Sequence, residues 1–486
     1  MSEYALFARR VGLVGITMLI TSLKGLVLLP ILTKTLGAEG FGAWSLILAT
    51  ISLITPFIML GLATSILRFL SAETEKKKFG QEFYAVIFTI LFVGMIFSFM
   101  IFVFSDYLSV SLLKNISFSP EFRMVSFLII LEALNQVTIQ AFRIFGEIKK
   151  YSIFMGLQTL IEIGLVSFSV LSGYGLKGAI IALIITRGIS LILSLLYIIQ
   201  HVGLAFPNFS SMRPYLIFGI PLVSSVVFEI IISSSDRYVI GFFMGAASVG
   251  IYSAAYSIGT VAKLSIGPLT YILSPTIFKS FDENKIDEVK KYLSYSLKYF
   301  LMFSIPSVFG VAALAAPLLQ TLTTSEFVLS GILIVPIVAL SMIFEGVRAI
   351  FGEVLMLFKR TKIFGSSSVI AGSINLVLNF VFVPNFGITA AALATLISYS
   401  IIGFIMYYNS RKYLKFDVNP RFIVKSIISS TIMVFPVWLL QPTGMMGILE
   451  AAGIGGITYF MVLFALNGFE KKELRIIRES LIMING

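Results

Sequence analysis

Long apolar runs, separated by short clusters of Gly, Pro and charge, dominate the chain. Each is about as long as, or longer than, the roughly 20 residues a helix needs to cross a bilayer's hydrocarbon core. The spans lie near 11–35, 42–69, 83–105, 122–146, 151–172 and 179–201, then near 214–243, 249–275, 293–317, 327–357, 364–386 and 388–409, with two more at 422–441 and 444–467. The pattern predicts an all-α polytopic membrane protein of about 14 transmembrane helices. The first run carries Lys24, lacks a small-residue cleavage site and leads straight into further spans, so it reads as a retained helix and not a signal peptide.

Composition agrees with the pattern. Of 486 residues, 58% are apolar, enough for about 14 spans of the required length with little left for a soluble core. Charged residues are only 12%, which excludes both a water-soluble enzyme and intrinsic disorder. With no cysteine and a single histidine, His201, disulfides, thiolate metal sites and His-rich metal clusters are excluded, and no cofactor is expected. His201 sits at the end of the sixth span, where an interfacial role is expected.

The net charge of +12 would suggest nucleic acid in a soluble protein, but in a membrane protein Lys and Arg collect on cytoplasmic loops. With both termini cytoplasmic, 27 of the 36 basic residues fall on that side, four outside (Lys34, Lys114, Arg123 and Lys177) and five within spans. That asymmetry sets the expected orientation in a cell membrane and leaves no case for a nucleic-acid partner. The connections are too short to hold a domain with its own core. Residues 470–482 read as an amphipathic cytoplasmic helix with Leu474, Ile477 and Leu481 on one stripe. Residues 281–291 read as a second, or equally as a solvated charge run.

An internal repeat subdivides the 14 spans. Gly37-Ala38-Glu39-Gly40-Phe41-Gly42-Ala43-Trp44-Ser45 matches Gly245-Ala246-Ala247-Ser248-Val249-Gly250-Ile251-Tyr252-Ser253 as G-A-x-x-x-G-x-aromatic-S at an offset of 208. The segment from Tyr174 to Ala179 matches that from Phe386 to Ala391 at 212, the offset that also separates Pro56 from Pro268. Both glycine motifs fall in outer turns between equivalent spans. The reading is a first lobe over 1–202, a cytoplasmic linker over 203–213, a second lobe over 214–410, two further spans within 411–469 and a tail over 470–486. Because six spans is an even number, the lobes share an orientation and should be related by an axis along the membrane normal, with a cavity between them. Pro56, Pro268, Pro306 and Pro336 are placed to kink their spans.

Polar residues at membrane depth are costly, and they face either a cavity or each other. In span 4, Glu132, Gln136, Gln140 and Arg143 share one helical face. Span 5 adds Gln158 and Glu162, span 6 Arg187, and span 11 Asn375 and Asn379. Span 10 carries Glu345 and Arg348 one turn apart, a spacing that suits a structural pair as well as a site. Thr17, Thr21 and Lys24 in span 1 have the same spacing as Glu229, Ser233 and Asp236 in span 7, at the 212 offset. Arg237 and Lys263 complete the set. The expected substrate contacts are Lys24, Arg187, Arg237, Lys263, Arg348, Gln136, Gln140, Asn375 and Asn379. Glu132, Glu229, Asp236 and Glu345 are candidates for ion coupling. Arg and Lys suit a phosphate and amides suit sugar hydroxyls, so a lipid-linked sugar fits, as does an anionic metabolite.

The segments LVLLPILTKTLGAEGFGAWSLI, LRFLSAE and SDRYVIGFFMGAASVGIYSAAY resemble the Wzx-type oligosaccharide flippases of the multidrug/oligosaccharidyl-lipid/polysaccharide exporter superfamily. The resemblance implies a V-shaped bundle of two six-helix lobes plus two helices. It implies transfer of an isoprenoid (pyro)phosphate-linked oligosaccharide to the outer leaflet, alongside the polymerase and glycosyltransferases of a glycan pathway. A cationic central cavity of this kind would fall on Lys24, Arg237, Lys263 and Arg348, and the interspersed acids temper it. A monomer among membrane lipids is expected. A cation-coupled multidrug exporter and a lipid II-type flippase are rivals of the same fold. A membrane glycan polymerase or ligase would be expected to carry a sizeable extramembrane loop with clustered acids or His, and the connections here are short.

Overall fold

The computed structural model describes residues 3–70 and 75–469. The expected tail helix over 470–482 lies outside them. The described residues form helices joined by short connections: α1 (Glu3–Met59), α2 (Leu62–Phe69), α3 (Lys76–Val103), α4 (Ser105–Leu113), α5 (Ser119–Ile144), α6 (Ile148–Ser169), α7 (Gly175–Val202), α8 (Met212–Met244), α9 (Ala246–Gly259), α10 (Ile266–Asp282), α11 (Ile286–Ala313), α12 (Ala315–Leu322), α13 (Ser325–Gly331), α14 (Ile334–Leu357), α15 (Thr361–Phe386), α16 (Ile388–Ser410), α17 (Pro420–Leu440) and α18 (Gly444–Ala465).

Among the described residues eleven helices are long and apolar enough to span a bilayer, or twelve when α9 and α10, bent by 42° at their junction, count as one. Two of those candidates are double-length, 43 and 55 residues. The first breaks at Gly37 (φ 66°, ψ −176°) and the second at Gly173 and Gly175, so each crosses twice and the total reaches the expected 14.

The repeat appears first in the backbone. Gly37 and Gly245 share one conformation (φ 66° and 83°, ψ −176° and 179°), and Gly175 and Gly387 share another (φ 58° and 70°, ψ −148° and −159°). An L side chain is excluded from that region, which accounts for the paired glycines. The motif also forms the contact between the two halves. Gly42 lies against the carbonyl of Ala246, where a Cβ would sit 1.8 Å from the oxygen. Reciprocally, a Cβ on Gly250 would sit 2.0 Å from the Ala38 oxygen. Ala38/Gly42 and Ala246/Gly250 are thus two small-xxx-small pairs crossing each other at backbone contact. A second close crossing joins the halves toward the opposite end, where Gly61 (φ 70°) meets Gly219. There Ser65 Oγ donates to the Tyr215 carbonyl at 2.9 Å, and Tyr215 OH donates to Glu82 at 2.6 Å.

Gly203–Pro207 link α7 to the turn before α8 without helix, and Asn208 N–H bonds the Gln81 carbonyl at 3.1 Å. The segment 281–291 is not a separate amphipathic helix. α10 runs to Asp282, Asn284 turns the chain with φ 58°, and α11 starts at Ile286 and continues into the ninth span. Val289 and Leu293 are fully buried, so the early turns of α11 already pack against the bundle. α17 and α18 pair with each other, Ser426 Oγ to Tyr459 OH at 2.9 Å, and pack on α11 and α12. Large apolar side chains such as Phe92, Phe99, Phe168 and Phe435 stay exposed on the outside, as lipid-facing surfaces require.

Candidate functional site

The polar stripe of span 4 faces span 1 and spans 5 and 6. α1 supplies Thr21 and Lys24, α5 supplies Glu132, Gln136 and Gln140, α6 supplies Gln158 and Glu162, and α7 supplies Arg187, all around a cavity of about 380 Å³. Lys24 Nζ meets Glu162 Oε1 at 2.8 Å, and Arg187 meets the other Glu162 oxygen at 3.0 Å. Arg187 Nε also bonds Glu132 at 2.5 Å, and Gln136 donates to Glu132 at 2.8 Å. Two cations and two carboxylates therefore form one continuous chain, in which every charge has an opposite partner. Glu162, at the hub, is buried. The two cations together offset the cost of burying its carboxylate.

Lys24 and Glu162 also line a second cavity of about 260 Å³, which brings in Trp44, Ser234, Arg237 and Ser257. It lies where the first half meets α8 and α9 of the second. Arg237 donates to the Ser233 carbonyl at 2.8 Å, approaches Asp236 at 3.3 Å and lies 4.7 Å over the Tyr256 ring. The lysine is thus common to two compartments, one within the first half and one between the halves.

Other expected contacts lie elsewhere. Asp236 is fully buried, bonded to the Tyr252 hydroxyl and to the Arg237 backbone N–H at 2.9 Å. Asn375 and Asn379 line neither of these two cavities. Both are fully buried, Ser235 donates to Asn375 at 2.8 Å, and Asn379 Nδ2 donates to Asn375 Oδ1 at 3.0 Å. They sit one turn apart on α15, as Gln136 and Gln140 do on α5, but their face packs closely against α8. Asn375 Nδ2, Asn379 Oδ1 and Thr395 Oγ1 have no hydrogen-bond partner among the described residues.

Arg348 is buried in a separate triad, 2.8 Å from Glu229 and 3.3 Å from Glu345. Lys263 lies half-buried in the break between α9 and α10 and lines neither cavity. His201 stacks on Phe145 with centroids 5.2 Å apart, and its Nδ1 lies 2.9 Å from the Tyr197 carbonyl. Glu162 was legible as an acid at mid-span, three turns from the nearest cation on its own helix, but composition alone names no partner for it.

A model of the polysaccharide biosynthesis protein family matches residues 7–281, more than half of the chain. The chain belongs to that family. Among curated relatives, a Haloferax volcanii protein named a low-salt glycan biosynthesis flippase, Agl15, is 24% identical over 195 residues, covering 40% of this chain and 41% of its own. A Shigella flexneri protein named an O-antigen transporter is 25% identical over 295 residues, 58% of this chain and 68% of its own. Against the Haloferax relative the alignment spans under half of that protein's length. Among solved structures, the lipid II flippase MurJ in an inward closed conformation superposes with a TM-score of 0.76 at 17% identity, over 95% of this chain and 99% of the other. The fold is therefore the one the sequence resemblance implies.

Proposed function

We propose that this family member is a flippase that moves an isoprenoid (pyro)phosphate-linked oligosaccharide from the cytoplasmic to the outer leaflet by alternating access. The observation that carries the reading is the Lys24–Glu162–Arg187–Glu132 chain, which reaches into the compartment shared with Arg237. The substrate phosphate competes with the carboxylates for Lys24, Arg187 and Arg237, while Gln136, Gln140 and Gln158 replace water around the sugar hydroxyls. A cavity that is charge-balanced when empty and cationic when its acids are displaced can bind and release an anion without an excessive desolvation cost. Glu132, which shares Arg187 with Glu162, is the ion-coupling candidate of the first half.

The two six-span lobes rock so that the Gly42/Gly250 and Gly61/Gly219 crossings open in turn, and the isoprenoid tail stays in lipid. The orientation follows from the basic residues, 27 on the linker side against four on the other. The chain then acts as a monomer in the cytoplasmic membrane with both termini inside, upstream of the polymerase and downstream of the glycosyltransferases. In cells that depend on the protein for glycan display, Lys24→Ala and Arg237→Ala should abolish display while the folded protein stays at its normal level. Normal display in both variants would remove the assignment.

A further inference from the structure

The turns at Gly37 and Gly245 are each covered by a short arm from the opposite half. α4 of the first half ends against α8 of the second, where a Cβ on Gly241 would sit 2.3 Å from the Leu112 carbonyl oxygen. α12 and α13 of the second half run against α1 in the same way. Thr33, fully buried, places its Oγ1 2.9 Å from the Leu322 carbonyl at the end of α12. Phe327 on α13, also fully buried, meets Phe41 edge-on with ring centroids 6.4 Å apart. Phe41 lines the compartment between the halves, so this arm closes against the cavity wall.

The two arms obey the repeat but differ in charge. Gly241 and Thr33 differ by 208, as Gly245 and Gly37 do, and Lys114 and Glu326 differ by 212. Glu326 Oε1 accepts the Ala38 N–H at 2.9 Å, across the two halves. Ala38 follows the break at Gly37 and starts the second part of α1. The first N–H groups of a helix lack partners within it, and the helix dipole favours a carboxylate there. Lys114 takes the equivalent place beside Gly245, its Cγ 3.4 Å from where a Gly245 Cβ would lie. A cation is disfavoured at the start of α9, and the ammonium turns instead to the Phe242 ring, 5.3 Å from its centroid.

We infer that the two arms form a reciprocal clasp that holds the glycine-turn end of the inter-half cavity shut, and that Glu326 is its principal latch. One carboxylate ties α13 of the second half to the first half by a charge-assisted hydrogen bond. The equivalent cation contributes packing and a ring contact. Releasing Glu326 therefore opens this end further than removing Lys114. The inference rests on the two halves separating here and is independent of what passes between them.

Purified full-length protein in detergent would carry spin labels at Tyr107→Cys on α4 and Leu329→Cys on α13, both exposed. Pulsed electron resonance reads their separation, and hydrogen exchange at Ala38 reports the latch itself. Losing a hydrogen bond to a charged acceptor shifts a two-state ratio by about 10-fold. Glu326→Ala should therefore raise the long-distance population by about that factor and speed exchange at Ala38. Glu326→Gln, whose amide oxygen still accepts, should do less, and so should Lys114→Ala. Glu39→Ala is the control and should leave the distance unchanged, because that carboxylate accepts from Asn115 of its own half at 2.8 Å. Glu326 is exposed, and a cooperative melting transition would show that each variant is folded. Wild-type distances in Glu326→Ala, or wider opening in Lys114→Ala than in Glu326→Ala, would overturn the inference. No substrate enters the measurement, so either failure would leave the flippase reading standing.

Discussion

Replacing Gly42 and Gly250 with alanine tests whether the repeat motif is the closing contact between the two halves. Each added Cβ would land 1.8 and 2.0 Å from a backbone oxygen of the other half, roughly 1.5 Å inside ordinary contact. A flexible side chain could swing away, but a helix carbonyl cannot, so the two helices must separate. Overpacking of this kind costs about 1–3 kcal/mol per site. Even one site would shift the closed-to-open ratio by roughly 5- to 150-fold.

The chain contains no cysteine, so spin labels can be placed without background substitutions. Lys177→Cys and Thr389→Cys put one label on each of the two equivalent turns of the repeat, and pulsed electron resonance reads their separation. The single variants Gly42→Ala and Gly250→Ala should each populate a longer distance, and the double variant more so. Gly164→Ala, which has open space around its Cβ position, should not. An unchanged distance distribution in a folded double variant would show that this crossing does not hold the halves closed.

Other outcomes follow from the same packing. Arg187→Gln should destabilise the protein by about 3 kcal/mol, because Glu132 and Glu162 lose their common cation. Adding Glu132→Gln should restore part of this, read by thermal melting in detergent. Tyr252→Phe removes a buried hydroxyl from the Asp236 carboxylate and should cost about 1.5–3 kcal/mol; equal melting temperatures would contradict that bond. Gly346→Ala places a methyl 1.9 Å from the ring of fully buried Phe300 and should cost about 1–3 kcal/mol, visible as a lower unfolding midpoint.

Much of the architecture was legible because a bilayer constrains sequence so strongly. Span number followed from the length of apolar runs, and the turn glycines announced the repeat because only glycine adopts the conformation shared by Gly37 and Gly245. The site was legible only in part. Helical spacing tells which residues share a face, not what that face meets. Gln136 with Gln140 and Asn375 with Asn379 have the same spacing, yet the first pair opens on a cavity and the second is fully buried between α15 and α8. Pairing across helices was equally hidden. Glu162 became the hub only when the fold brought Lys24, 138 residues distant, to within 2.8 Å. In 281–291 the abundance of charge masked Val289, whose burial makes the segment the start of a span.

Passage of a lipid-linked oligosaccharide through the Lys24–Glu162–Arg187 cavity, as proposed above, is read most directly as transfer between leaflets. Purified protein would be reconstituted into liposomes with a fluorescent isoprenoid pyrophosphate oligosaccharide in the inner leaflet, and its arrival outside followed with a membrane-impermeant quencher. Time-dependent transfer by the wild type, and a much slower rate for Lys24→Ala, are the expected results. Transfer no faster than in protein-free liposomes, or a Lys24→Ala rate equal to the wild type, would contradict it.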